Sequence, residues 1–104
     1  MENNVNYYLV LSRPAAVWKA AILYRIFTER KNLDGIEKIL NQHFKGYTHY
    51  KATGFWEGMK EPSIVIEIQG ASKKEVSAAS KAIKKLNKQQ AVLVQEFNLK
   101  GTLV

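Results

Sequence analysis

Residues 54–70, Gly-Phe-Trp-Glu-Gly-Met-Lys-Glu-Pro-Ser-Ile-Val-Ile-Glu-Ile-Gln-Gly, constrain this chain more than any other stretch. They spell the end of one strand at Phe55 and Trp56 and a glycine-containing turn through Gly58. A second strand follows, opened by Pro62, with Ile64, Ile66 and Ile68 on one face. Three isoleucines on one side of a strand need an apolar layer above them, so the rest of the chain is expected to pack on this hairpin. Two large rings and the acids Glu57 and Glu61 cluster at the turn, which makes it the first candidate site. Lys51, Trp56, Glu57, Lys60 and Glu61 are the candidate ligand-binding residues: the Trp56 ring would stack a nucleotide-like ligand whose charge Lys51 or Lys60 would meet. If the strand is regular, Phe55 and Trp56 face opposite ways, one into the core and one onto the open sheet face; core packing alone accounts for either ring more often than ligand stacking does.

Around the hairpin, residues 5–12 alternate Val5, Tyr7, Leu9 and Leu11 with Asn6, Tyr8, Val10 and Ser12, the pattern of a central strand that Arg13-Pro14 ends. Residues 15–30 read as a helix with two apolar stripes. Val17, Ala20, Tyr24 and Phe27 form one, and Trp18, Ile22 and Ile26 form the other at spacings of four. A second stripe needs a second surface, either the following loop or another subunit, so Trp18, Ile22 and Ile26 are the candidate oligomer interface. Asp34 and Glu37 resemble a capping box for a helix that buries Leu33, Ile36, Leu40 and Phe44 and stops at Lys45-Gly46. Residues 47–56 form a polar, aromatic strand suited to a sheet edge. Ser72 and Glu75 open a second helix with the seam Val76, Ala79, Ile83 and Leu86, and Lys73, Lys74, Lys81, Lys84, Lys85 and Lys88 lie opposite that seam. Residues 91–99 are the last strand.

The resulting order is strand, helical region, strand, strand, helix, strand. Right-handed crossovers close it as an α+β, ferredoxin-like domain over residues 1–104, a four-stranded antiparallel sheet in order 4-1-3-2 with helices on one face and an extra helix in the first crossover.

Chemistry narrows the function classes. The chain has no cysteine, which excludes thiol chemistry and cysteine-type zinc sites. His43 and His49 stand at no metal-binding spacing, and Ser63 has no His-Asp set, so neither metal, cofactor nor catalytic residues are expected and the protein is read as a non-enzyme. The glutamates at the turn are more simply solvated charges, and the Glu61 carboxylate has a structural use in accepting backbone donors before Ser63. The formal charge of +7 points to an anionic partner or a solvated basic surface. Lysines outnumber arginines thirteen to three, which weakens a nucleic-acid reading because arginine is the residue that grips phosphates and guanines bidentately. The polar N-terminus and the charges Lys19 and Arg25 within residues 15–27 give neither a secretory signal nor a membrane span, and a cytoplasmic location is expected.

The motifs Ser12-x-Pro14, Phe44, Gly46-x-Thr48, Gly54-x-Trp56, Glu61-Pro62-Ser63 and Gln90-x-Val92-Leu93-Val94 together resemble an uncharacterised bacterial domain-of-unknown-function family. The resemblance covers roughly two thirds of the chain, omits residues 15–30, and implies a ferredoxin-like fold without an assigned activity. The Trp56-Glu57-Gly58 turn is also similar to that of the divalent-cation tolerance and nitrogen-regulatory PII-like families, which implies trimers binding small ligands at subunit junctions. Three readings follow: a small homo-oligomer that binds or sequesters an anionic, nucleotide-like molecule; a protein-interaction module or inhibitor encoded on a mobile element; and a nonspecific nucleic-acid binder of weak, salt-screened affinity.

Overall fold

The structure, a computed structural model, describes the backbone of residues 7–8, 17–18 and 22–98 and the side chains of 22–98. Two short strands, β1 (Tyr7–Tyr8) and β2 (Val17–Trp18), pair antiparallel with each other. There follow β3 (Ile22–Glu29), α1 (Leu33–His43), β4 (Thr48–Trp56), β5 (Met59–Gln69), α2 (Lys73–Leu86) and β6 (Leu93–Asn98). The last four strands form one antiparallel sheet in the order β4-β5-β3-β6, with β5 and β3 central. Counted from β3, that order is 4-1-3-2, and with two helices on one face the architecture is the expected ferredoxin-like α+β sheet.

The strand that occupies the first position is a different one. Residues 15–30 do not form a helix, and there is no extra helix among the described residues of the first crossover: Val17–Trp18 and Ile22–Glu29 are extended. Nor is the segment 5–12 the central strand; its described part, Tyr7–Tyr8, pairs only with β2, and the remainder lies outside the described residues with Ser12 and Pro14. The helical reading failed because spacings of four satisfy a period of two as well as a period of 3.6, so Ile22 and Ile26 align on a strand as they would on a helix. Tyr24, Ile26 and Thr28 are buried in alternation, and five of the eight residues of β3 are β-branched or aromatic, which favours the extended form. The proposed interface stripe is lost with the helix. Ile26 is 0% exposed inside the core and so is not offered to a partner, Ile22 is half-buried against that core, and the Trp18 side chain lies outside the described residues.

The core joins Tyr24 and Ile26 of β3, Ile64, Ile66 and Ile68 of β5, Ile36 and Leu40 of α1, Phe44, and Val76, Ala79 and Ile83 of α2. The isoleucine face of the hairpin therefore meets the α2 seam as its alternation requires. Ser72 caps α2, its Oγ accepting from Glu75 N–H at 3.1 Å, while the Glu75 carboxylate pairs with His43 Nδ1 at 2.9 Å instead of closing a capping box. The start of α1 is not the Asp34–Glu37 box either: Asn32 is its cap residue, at φ 56°, and the Glu37 carboxylate instead meets His49 Nε2 of β4 at 2.8 Å.

Glu57 and Gly58, at φ 48° and 77°, form a two-residue hairpin turn with positive φ at both positions, as a type I′ turn demands. The strand after it begins at Met59, not at Pro62. Pro62 sits where β3 has ended, its carbonyl accepting from Arg30 N–H at 3.1 Å, so its missing donor costs no ladder bond. Beyond Ser63 the hairpin thus runs past the sheet as a two-stranded arm, braced at its root by Arg30 Nη2 donating to the Ala52 carbonyl at 2.7 Å. On this arm Phe55 and Trp56 are both exposed, at 70% and 68%, in place of one buried ring and one open.

Replacing Ile66 by alanine is expected to cost about 2–5 kcal/mol, whereas Trp56→Ala on the free arm should change stability by under about 0.5 kcal/mol. Urea denaturation of both variants checks this; equal losses would mean that the arm is folded into a core.

Candidate functional site

Helix α2 turns one side toward the sheet and an adjoining side along the edge strand β6. On that adjoining side Lys73, Ser77, Lys81 and Lys84 recur at spacings of four, four and three, which stacks them along one line of the helix. Across from them β6 points Val94 and Glu96 toward the helical layer, next to Tyr24 of β3, the register partner of Glu96. Gln90, Ala91 and Val92, between α2 and β6, close the end nearest Lys84. These elements enclose a groove of about 540 Å³ with Val76 and Ser80 in its helical wall, a size in the usual range of small-molecule sites.

Two features distinguish this groove from a gap in packing. The first is Ser80, 7% exposed, whose Oγ has no hydrogen-bond partner among the described residues. A serine within a helix ordinarily bonds back to the carbonyl four residues earlier, and a buried hydroxyl left unpaired costs about 1–3 kcal/mol. The second is charge: three lysines line the groove against one acid, Glu96, which Lys73 Nζ approaches at 3.3 Å. Both partners of that pair are substantially exposed, so the pair contributes little stability and is free to rearrange around a ligand.

Just before Gln90 the chain is held by a polar cluster built on the buried Thr28 and Asn87. Thr28 Oγ1 donates to Gln89 Oε1 at 2.6 Å, Asn87 Nδ2 donates to Thr28 Oγ1 at 3.3 Å, and Asn32 Nδ2 donates to Asn87 Oδ1 at 2.9 Å. Asn87 is 1% exposed, so this cluster ties the exit of α2 to the ends of β3 and the start of α1.

The hairpin residues are arranged differently. Lys51, Trp56, Glu57, Lys60 and Glu61 are all exposed, and none of them lines the groove. Trp56 stands opposite Met59 and Glu61 opposite Gly54, with Glu57 in the turn. The hydrogen bond found beside Glu61 uses its carbonyl, which accepts from Ser63 Oγ at 3.2 Å, rather than its carboxylate.

On the opposite sheet face, Arg25, Glu67 and Tyr50 form a second polar group. Glu67 Oε2 accepts from Arg25 Nε at 3.0 Å and from Tyr50 Oη at 2.9 Å, and the Arg25 guanidinium also lies 4.8 Å from the centre of the Phe97 ring. The hydrogen bond to Glu67, with desolvation and the carboxylate's charge behind it, raises the Tyr50 pKa above the ordinary phenol value, and Arg25 offsets part of the rise. Among the described residues no three side chains of the metal-ligating types come together, and no helix is long and apolar enough to cross a membrane.

The sequence places Lys73, Lys81 and Lys84 on a face either solvated or offered to an anion, and sequence reasoning passed over Ser77 and Ser80. The signal for Ser80 was present: it falls four residues after Val76 and three before Ile83, a hydroxyl set into an apolar seam.

No protein-family model matches this sequence, and no curated protein is significantly similar to it. Solved structures do share its fold. A DUF3240 family protein from Shewanella baltica is 17% identical with a TM-score of 0.61, the match covering 82% of this chain and 98% of that one. CPII, a nitrogen regulatory PII-like protein from Thiomonas intermedia described as bound to ADP, AMP and bicarbonate, is 15% identical with a TM-score of 0.56, covering 80% and 96%. A phage SAM lyase in its apo state is 19% identical with a TM-score of 0.55, covering 75% and 80%. The resemblance to a family of unknown function, and the weaker one to PII-like proteins, therefore hold at the level of the fold, which regulators and a lyase share.

Tyr50 should ionise above the usual phenol range, and Glu67→Gln should bring its ionisation back toward it. Because the folded value is raised, the stabilisation from this pair is complete below the unfolded tyrosine pKa and disappears as pH rises through the folded one. Ultraviolet difference titration of the two proteins, with Tyr50→Phe to assign the signal, measures the shift.

Proposed function

We propose that the protein is a non-enzymatic binder of an anionic, nucleotide-like small molecule, and that the ligand lies in the groove between α2 and β6. The observation that carries this reading is the unpartnered, buried Ser80 hydroxyl in a cavity whose rim bears Lys73, Lys81 and Lys84. Ammonium groups at the rim attract an anion from solution, and the apolar wall of Val76, Val92 and Val94 suits a planar body. A ligand heteroatom facing Ser80 would relieve the unmet hydroxyl, so that binding would gain what folding gave up. The fold neighbour described with ADP, AMP and bicarbonate is consistent with a binding role for such a scaffold, while the neighbour named a lyase keeps fold and activity separate.

Calorimetric titration with ADP, AMP and inorganic phosphate tests the proposal. Ser80→Ala is expected to leave the melting temperature unchanged or higher while weakening binding about tenfold. The double variant Lys81→Ala, Lys84→Ala should weaken binding and flatten its salt dependence. Wild-type protein that takes up no nucleotide would overturn the reading. Binding lost in Trp56→Ala but intact in the groove variants would move the ligand to the hairpin arm.

A further inference from the structure

The groove is not uniformly cationic, and its asymmetry selects among ligands. Lys81 and Lys84 gather with Gln90 at the end where α2 runs out, whereas Glu96 and Lys73 occupy the other end, 3.3 Å apart. From Lys73 to Lys81 the helix rises about 12 Å, taking about 1.5 Å per residue. Between the two ends lie the apolar side chains of Val76 and Val94 and the hydroxyl-bearing Ser80 and Tyr24.

Resting on the reading that this groove binds an anionic small molecule, we infer that its ligand is bipolar, with an anionic group at the Lys81 and Lys84 end and an amino or cationic group at Glu96. A carboxylate inside a lysine-lined groove disfavours a second anion beside it. It accepts hydrogen bonds only, so it favours a donor. Lys73 supplies that donor in the structure. Its side chain is 81% exposed, so it turns into solvent at little cost when a ligand amino group takes its place on Glu96. An all-anionic ligand would have to place its second negative charge beside the Glu96 carboxylate. Glu96 is thus a specificity-determining residue, reading the end of the ligand far from its anion.

Adenosine monophosphate and inosine monophosphate separate these cases, since they share a phosphate and differ in whether the base presents an amino donor or an oxo acceptor at the same position. Wild-type protein should bind the amino compound about tenfold more tightly. Glu96→Gln, whose amide also donates, should abolish or reverse that preference without changing the melting temperature. Equal binding of the two compounds by the wild type, or a preference untouched by Glu96→Gln, would overturn the inference while leaving anion binding in the groove intact. Uptake of neither compound would remove the groove reading itself, and the inference with it.

Discussion

The burial of one face of β5 governs this structure. Ile64, Ile66 and Ile68 are all but fully covered, and the strand that carries them pairs on both sides, with β4 and with β3. A strand in that position cannot slip by one residue without turning its isoleucines to the other face and Val65 and Glu67 into the helical layer. Register, helix placement and the division of the sheet into a covered and an open face all follow from it. Helix α2 lies where Val76, Ala79 and Ile83 reach those isoleucines, which leaves its lysine line running beside the last strand.

The groove is a by-product of that packing that the polar residues have made specific. Only three apolar residues of α2, Val76, Ala79 and Ile83, are buried in the core, and the next positions around the helix meet β6. There Ser80 keeps a hydroxyl that the core does not use. The Thr28, Asn87 and Gln89 cluster holds the connection from α2 to β6, so the closing wall of the groove is fixed by buried hydrogen bonds rather than by a loop alone.

The hairpin arm shows the opposite balance. Its turn geometry is set locally by Glu57 and Gly58, but past Ser63 no third strand among the described residues pairs with it, and its rings are exposed. Structures that share this fold are described as a nitrogen regulatory protein with nucleotides and as a lyase, so the sheet itself says little about chemistry. What distinguishes this chain is the set of side chains at the edge of α2.

Much of this was legible in the residues alone. The Glu57-Gly58 turn, the isoleucine face, the Ser72 cap and the α2 seam are local patterns, each decided by backbone sterics or by periodicity within a dozen positions, and the strand order followed from chain connectivity. The identity of the first strand was not legible, because Ile22 and Ile26 fit either period and only the pairing of β3 with β5 and β6 selects the extended form. The groove was less legible still. Ser80, Gln90 and Glu96 lie on separate elements, and Tyr24 is more than fifty positions away from them in the chain. They become neighbours only when β6 docks on β3 and α2 settles over the isoleucines, so the sequence by itself determined the local elements while the tertiary structure decided which of their polar groups would meet.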